Sequence, residues 1–338
     1  MVPVEQVPFL KGPTIMQNVL PLIRGFLAEI GGRISPEATI EEEHYHLPPA
    51  EPRMAPGKFF EIPAKPSRPV GLQLFQTGRS RTFLVGKIVT ENDVRPVHYA
   101  SVASAILSRR DGYLSPYTRP LTADIILLDL SGLDEQDTVE RYREGIEIID
   151  TKPDEAGYKS RRLAAIREAA RVQHEMMEEG LIALHEGREP GVLIVVDGSL
   201  SNIEGAAGMP GIIGLVRGDS DTLGEGSSVL ECPFGARSAL DQVGYPPAFY
   251  MRLRDASGYN PDFGLVRVEL GLNPDGGPAD ETWASDVACL VLTERFPVDL
   301  SIKGWDKTIF SLLHAGKYID TLILNPRVVT TYFGRSTV

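Results

Sequence analysis

Cysteine is nearly absent from this chain of 338 residues, which carries only Cys232 and Cys289. That excludes a disulfide framework and a cysteine-rich zinc module. Long apolar runs are missing as well, and none approaches the ~20 residues that a membrane span requires. Positive charge is in deficit: 34 lysines and arginines stand against 46 aspartates and glutamates, a formal net charge of −12. A protein that grips nucleic acid by bulk positive charge is not expected from this balance, and any DNA contact must be a local patch. The opening residues, MVPVEQVPFLKG, show neither the basic nor the apolar region of a signal peptide. These absences predict a cytoplasmic α/β protein with no membrane partner. What is present, 42% hydrophobic residues, suffices for a sizeable core in one large domain or two modest ones.

Residues 14–31 place Ile15, Val19, Ile23 and Leu27 at helical spacing, with Pro21 expected to bend the helix and Gly31-Gly32 to end it. After the acidic run Glu41-Glu42-Glu43, residues 47–69 are rich in proline and read as an extended connector. The expected division is an N-terminal helical arm (1–46), a linker (47–69), a main domain (70–331) with a helical insertion (133–190), and a tail (332–338). The apolar stripe of the arm has no obvious place in the core. Ile15, Val19 and Ile23 are therefore expected to dock a partner.

From residue 70 the pattern turns to strands: 72–77, 82–90, 99–107 and 123–130. Within the insertion, 160–185 is the best helix, with Leu163, Ile166, Ala170, Met177, Leu181 and Leu184 on one stripe. GVLIVVDGSLS (191–201) is the clearest buried strand, and further strands are expected at 211–218, 248–255, 263–271 and 287–294. A last helix is expected over about 303–316.

Asp197 is the leading chemical candidate. A carboxylate closing a buried strand, followed by Gly198 and Ser199, projects from the sheet edge where α/β folds bind ligands and metals. The plainer reading is a strand-ending turn capped by aspartate. On the 160–185 helix, Glu178 flanks the buried stripe and is placed to complete a two-carboxylate Mg²⁺ or Mn²⁺ site, whereas Glu175 and Glu179 point more toward solvent. A solvated acidic face explains the same glutamates. His44 and His46, beside three glutamates, are expected to be solvated. The glycine-rich stretch 204–214 lacks the Lys-Ser/Thr of a phosphate loop, and no Ser-His-Asp or Cys-His arrangement can be argued. Arginines cluster at Arg79 and Arg81, at Arg109-Arg110, and between Lys159 and Arg171. Such clusters suit phosphate contacts or ordinary ion pairs.

Several segments, in order, resemble the NurA nuclease family, especially its bacterial branch. LFQTGRSRTFLVGKIV (74–89) is similar to the family's opening strand pair and VHYASVASAIL (97–107) to the strand that follows. EEGLIAL (178–184), LIVVDGSLS (193–201) and IIGLVRG (212–218) are similar to its Glu-bearing helix, its Asp-Gly-Ser strand and its Gly-x-x-Lys strand. MRLRD (251–255), LVRVELG (265–271) and RFPVDLSIKGWDKTIFSLL (295–313) are similar to its closing motifs.

The resemblance implies an RNase H-like mixed-sheet α/β core with acidic residues around Mn²⁺ or Mg²⁺. It also implies a homodimer that acts on DNA, docked on a HerA-type hexameric ATPase, in DNA end processing or phage defence. Carried over, Asp197 matches the second metal-binding aspartate, Glu178 the helical glutamate, and Asp306 the last active-site position. The family's first aspartate falls on Thr77 and its lysine on Arg217. Arg79, Arg81 and Arg217 would contact the DNA. Two readings follow: a metal-dependent deoxyribonuclease in which Asp124 or Asp129 fills the gap at Thr77, or a catalytically weakened or inactive adaptor that caps and stimulates the ATPase.

Overall fold

The computed structural model describes residues 19–34, 40–41, 58–68, 71–91, 93–133, 136–155, 157–185, 191–217, 228–242, 245–295 and 305–334. The strands are β1 (Gly32–Ile34), β2 (Ile40–Glu41), β3 (Phe59–Glu61), β4 (Leu72–Val89), β5 (Val94–Arg110), β6 (Tyr113–Pro116), β7 (Leu121–Leu128), β8 (Glu147–Asp150), β9 (Leu193–Asp197), β10 (Ile212–Arg217), β11 (Ala236–Ser238), β12 (Ala248–Arg252) and β13 (Leu265–Leu270). The α-helices are α1 (Val19–Glu29), α2 (Gln136–Arg143), α3 (Tyr158–His185), α4 (Glu281–Thr293), α5 (Phe310–Asp320) and α6 (Pro326–Gly334).

All these strands join one sheet, ordered β3-β11-β12-β13-β10-β9-β4-β5-β7-β8, with β1 and β2 paired on β4 and β6 on β5. At its centre β4, β5 and β7 form an antiparallel meander. The chain then crosses through α3 and adds β9 and β10, both parallel to β4, on the other side of that first strand. A three-strand meander followed by two parallel strands in this order is the expected RNase H-like core.

Period-2 alternation gives the sheet two apolar faces. On β9, Val195 packs with Phe75 of β4 and Leu215 of β10 under Trp283, Val287 and Val291 of α4. Its neighbours Ile194 and Val196 face the other way, with Leu74, against Met177, Leu181 and Leu184 of α3. Further along the sheet, α3 covers Ala100 and Val102 of β5 with Ala165, Ala169 and Val172.

Several expectations are corrected. The stripe on α1 is core: Val19 and Ile23 are buried with Phe83, Val97 and Ile126, so neither is open to a partner, and Ile15 lies outside the described residues. The expected strand at 287–294 is the second half of α4. Its apolar residues continue a helical spacing that begins at Trp283, and Asp280 caps the helix by accepting from the Trp283 N–H at 2.7 Å. Segments 72–77 and 82–90 are one strand, because Arg79 to Arg81 stays paired with Ser101 to Ala103 of β5. The 133–190 segment is not appended to the core: β8 extends the sheet beside β7 and α3 covers a face of it. Leu163, expected on the buried stripe, is exposed, while Arg161 is buried in an ion pair with Asp129. The last helices lie later than expected, and α6 runs through position 332 with Phe333 fully buried.

Candidate functional site

The apolar run of β9 ends at Asp197, and the chain turns at Gly198, whose φ of 134° suits glycine. Ser199 then caps a short 3₁₀ turn, its hydroxyl accepting from the Ser201 N–H at 3.2 Å. Beneath the turn lies Glu269 of β13, fully buried. Its carboxylate accepts from the Leu200 N–H at 2.7 Å and from the Ser199 hydroxyl at 2.8 Å, and pairs with Arg267 at 3.2 Å. Burial pushes the Glu269 carboxyl above the usual range, against the pull of Arg267 and these donors. Nothing in the sequence expectations assigns Glu269 a role. The signal was a glutamate inside the apolar strand LVRVEL, where an acid survives only with dedicated partners.

Alternation places the Asp197 side chain on the same face as Val195, and Thr77 on the same face as Phe75. They meet there: the Thr77 hydroxyl donates to Asp197 Oδ2 at 3.2 Å. From β10, Arg217 Nη2 reaches Oδ1 at 3.1 Å and Oδ2 at 3.2 Å. Asp197 is thus neutralised by a guanidinium and bonded by a hydroxyl. The arginine is 44% exposed, so the pair itself adds only ~0–1 kcal/mol of stability.

The other expected ligands do not converge on this point. Glu178 belongs to α3, which covers the opposite face. A Cβ on Gly78 would stand 2.8 Å from Met177 Sδ, and Gln76 donates to the Met177 carbonyl at 2.6 Å. Burial raises the Glu178 carboxyl above its ordinary range, and the charges of Glu204 and Glu175 add to it. The sheet stands between Glu178 and Asp197. Asp306 is buried, with Oδ2 accepting from the Gly264 N–H at 2.8 Å, and anchors the turn before β13.

Neither candidate for the gap at Thr77 fills it, since Asp124 accepts from the Tyr99 hydroxyl at 2.5 Å and Asp129 from Arg161 at 2.7 Å. Arg79 and Arg81 are not free for DNA: both pair with Asp320 at 2.8 Å and tie α5 to the central strand. His44 and His46 lie outside the described residues. Glu175 is bonded to Arg171 and solvent-exposed.

Among the described residues no group of three or more His, Cys, Asp or Glu side chains is placed to hold a metal ion. Mg²⁺ and Mn²⁺ sites are built from oxygen ligands with free lone pairs and negative charge. Here one carboxylate, already ion-paired, stands beside a hydroxyl and a cation. This donor set does not fit the divalent ion that the resemblance implies. No helix among the described residues is long and apolar enough to cross a membrane.

No protein-family description matches the sequence, and no curated protein matches it. Among solved structures the chain is similar to the NurA nuclease from Sulfolobus solfataricus, with 11% identity, 74% of this chain and 79% of that chain covered, and a TM-score of 0.41. Likeness at this level says nothing of chemistry, and the site stands on its own residues.

Proposed function

We propose that the chain is a NurA-type subunit of a DNA-processing assembly, with nuclease architecture, that caps and stimulates a HerA-type hexameric ATPase without cutting DNA itself. The closing of Thr77 and Arg217 on Asp197 carries this reading. A hydroxyl replaces a negative charge on the central strand, and a guanidinium occupies the carboxylate that a catalytic ion would need. The order of motifs along the sequence supports the choice of partner, a homodimer and action in DNA end processing or phage defence. An acidic subunit suits such an assembly, since a ring-shaped partner would supply the attraction for DNA.

A second reading, a deoxyribonuclease dependent on Mn²⁺ or Mg²⁺, is favoured by one observation: Asp197 closes a buried parallel strand at the sheet edge. A labelled-DNA cleavage assay with Mn²⁺, with and without the ATPase, separates the two when wild type is compared with Asp197→Ala. The adaptor reading expects no cleavage by either protein, with the ATPase retained on a pull-down and its turnover stimulated by both. Cleavage that disappears in Asp197→Ala establishes the nuclease instead. Failure to retain the ATPase removes the adaptor.

A further inference from the structure

Among the described residues, two arginines near the end of β12 make no ion pair, although the chain carries a net charge of −12. Arg254 follows β12, and its guanidinium carbon lies 5.2 Å from the ring centre of Trp305. Its Nε and Nη2 are buried and have no hydrogen-bond partner among the described residues. Arg295 follows α4, lies 5.8 Å from the ring centre of Phe234, and spends one donor on the Leu292 carbonyl at 3.1 Å. Among the described residues neither arginine makes an ion pair. The nearby acid, Asp306, is turned to the Gly264 N–H.

We propose that Arg254 and Arg295 form a binding site for the phosphate group of a nucleotide or of a nucleic-acid strand. A guanidinium lying over an aromatic ring keeps its in-plane N–H donors for an oxyanion, and phosphate matches that fork in geometry and charge. Leaving buried donors unpaired is costly, and an oxyanion bound by the two arginines would satisfy them. Phe234, the ring beside Arg295, is bridged to Arg252, two residues before Arg254, so the two arginines gather at one end of β12.

A flat surface for a base adjoins the pair. Phe263 meets Trp305 edge-on at 5.7 Å, and Tyr259 stacks on Phe263 at 4.0 Å while remaining 58% exposed. The site shares its edge of the sheet with Asp197: β10 ends at Arg217, paired with Val266 of β13, and Leu253 bonds the Gly264 carbonyl just before that strand. It does not depend on the adaptor reading, since a phosphate site stands or falls whether or not an ATPase is bound.

The full chain is titrated with fluorescein-labelled oligothymidylate, read by anisotropy, and then competed with thymidine monophosphate and with inorganic phosphate. Saturable binding is expected, weakened at least about tenfold in Arg254→Met and in Arg295→Gln, and unchanged in Arg33→Gln, an exposed arginine of β1. Arg254→Met should keep or raise the unfolding midpoint, because it removes unpaired buried donors, whereas a purely structural arginine would lower it. Tyr259→Ala should weaken the oligonucleotide and the nucleotide but not inorganic phosphate. Displacement by thymidine monophosphate identifies a nucleotide site, and displacement only by unlabelled oligothymidylate identifies a strand. No saturable binding of any probe, or wild-type affinity in both arginine variants, overturns the proposal.

Discussion

Replacing Gly214 with alanine tests whether the turn after β9 is held against β10 by direct contact. A Cβ at this position would lie 2.9 Å from the Gly198 carbonyl oxygen, 2.9 Å from Leu200 Cγ and 3.3 Å from Leu200 Cδ2. The neighbours cannot step aside easily. Leu200 is buried among Leu181, Ile194 and Ile212, and its N–H is held by Glu269 at 2.7 Å. The Gly198 carbonyl is backbone. Exchanging glycine for alanine inside a strand gains roughly 0.5–1 kcal/mol when space allows. Overpacking a rigid site costs about 1–3 kcal/mol, and a backbone contact places this case at the upper end.

The expected net loss is therefore about 1–2 kcal/mol, read as a lower urea midpoint at constant slope by tryptophan fluorescence. Because Leu200 makes two of the close contacts, the loss in Gly214→Ala/Leu200→Ala should fall short of the sum of the single variants by at least ~0.5 kcal/mol. A Gly214→Ala variant as stable as wild type or more so would show instead that the turn sits free of the strand.

Three further outcomes are expected. Ile23→Ala should cost about 2–5 kcal/mol in urea unfolding because the side chain is core; a change under ~0.5 kcal/mol would return α1 to the surface. Burial pushes the Cys232 thiol up to about 12, so Ellman's reagent at neutral to mildly alkaline pH should not label it until denaturant is added, and rapid labelling of the folded protein refutes its burial. Arg161 and Arg95 hold the Asp93 carboxyl below its ordinary range; for Asp129 burial works upward but is outweighed by Ser131 and Arg161. With both folded pKa values depressed, their stabilisation is complete above the unfolded value of ~4 and disappears as pH falls through the folded values. Asp129→Asn should cost about 3 kcal/mol at neutral pH and flatten the acid limb of a melting-temperature profile; an unchanged profile would show that the pair contributes nothing.

The sequence determined the elements by itself wherever a short window carries the signal. The run LIVVD followed by glycine marked β9 and its turn, and the 160–185 pattern marked α3, since backbone geometry imposes periods of 2 and 3.6 on residues close in the chain. The stripe on α1 was legible in the same way. Whether it faced a partner or the sheet was not, because Phe83 and Ile126 lie far along the chain.

The site shows the same division more sharply. Asp197 could be chosen from its own neighbourhood, and Thr77 marked as a departure. Their contact depends on the register that sets Gln76 opposite Val196, across 120 positions of chain. Arg79 and Arg81 looked like free phosphate contacts until the tertiary structure brought Asp320 to them from about 240 positions away. Glu178 was placed correctly at the edge of a buried stripe, yet only the docking of α3 decided which side of the sheet it occupies. Local periodicity assigns side chains to faces; the assembled sheet decides which charges meet and which are separated by it.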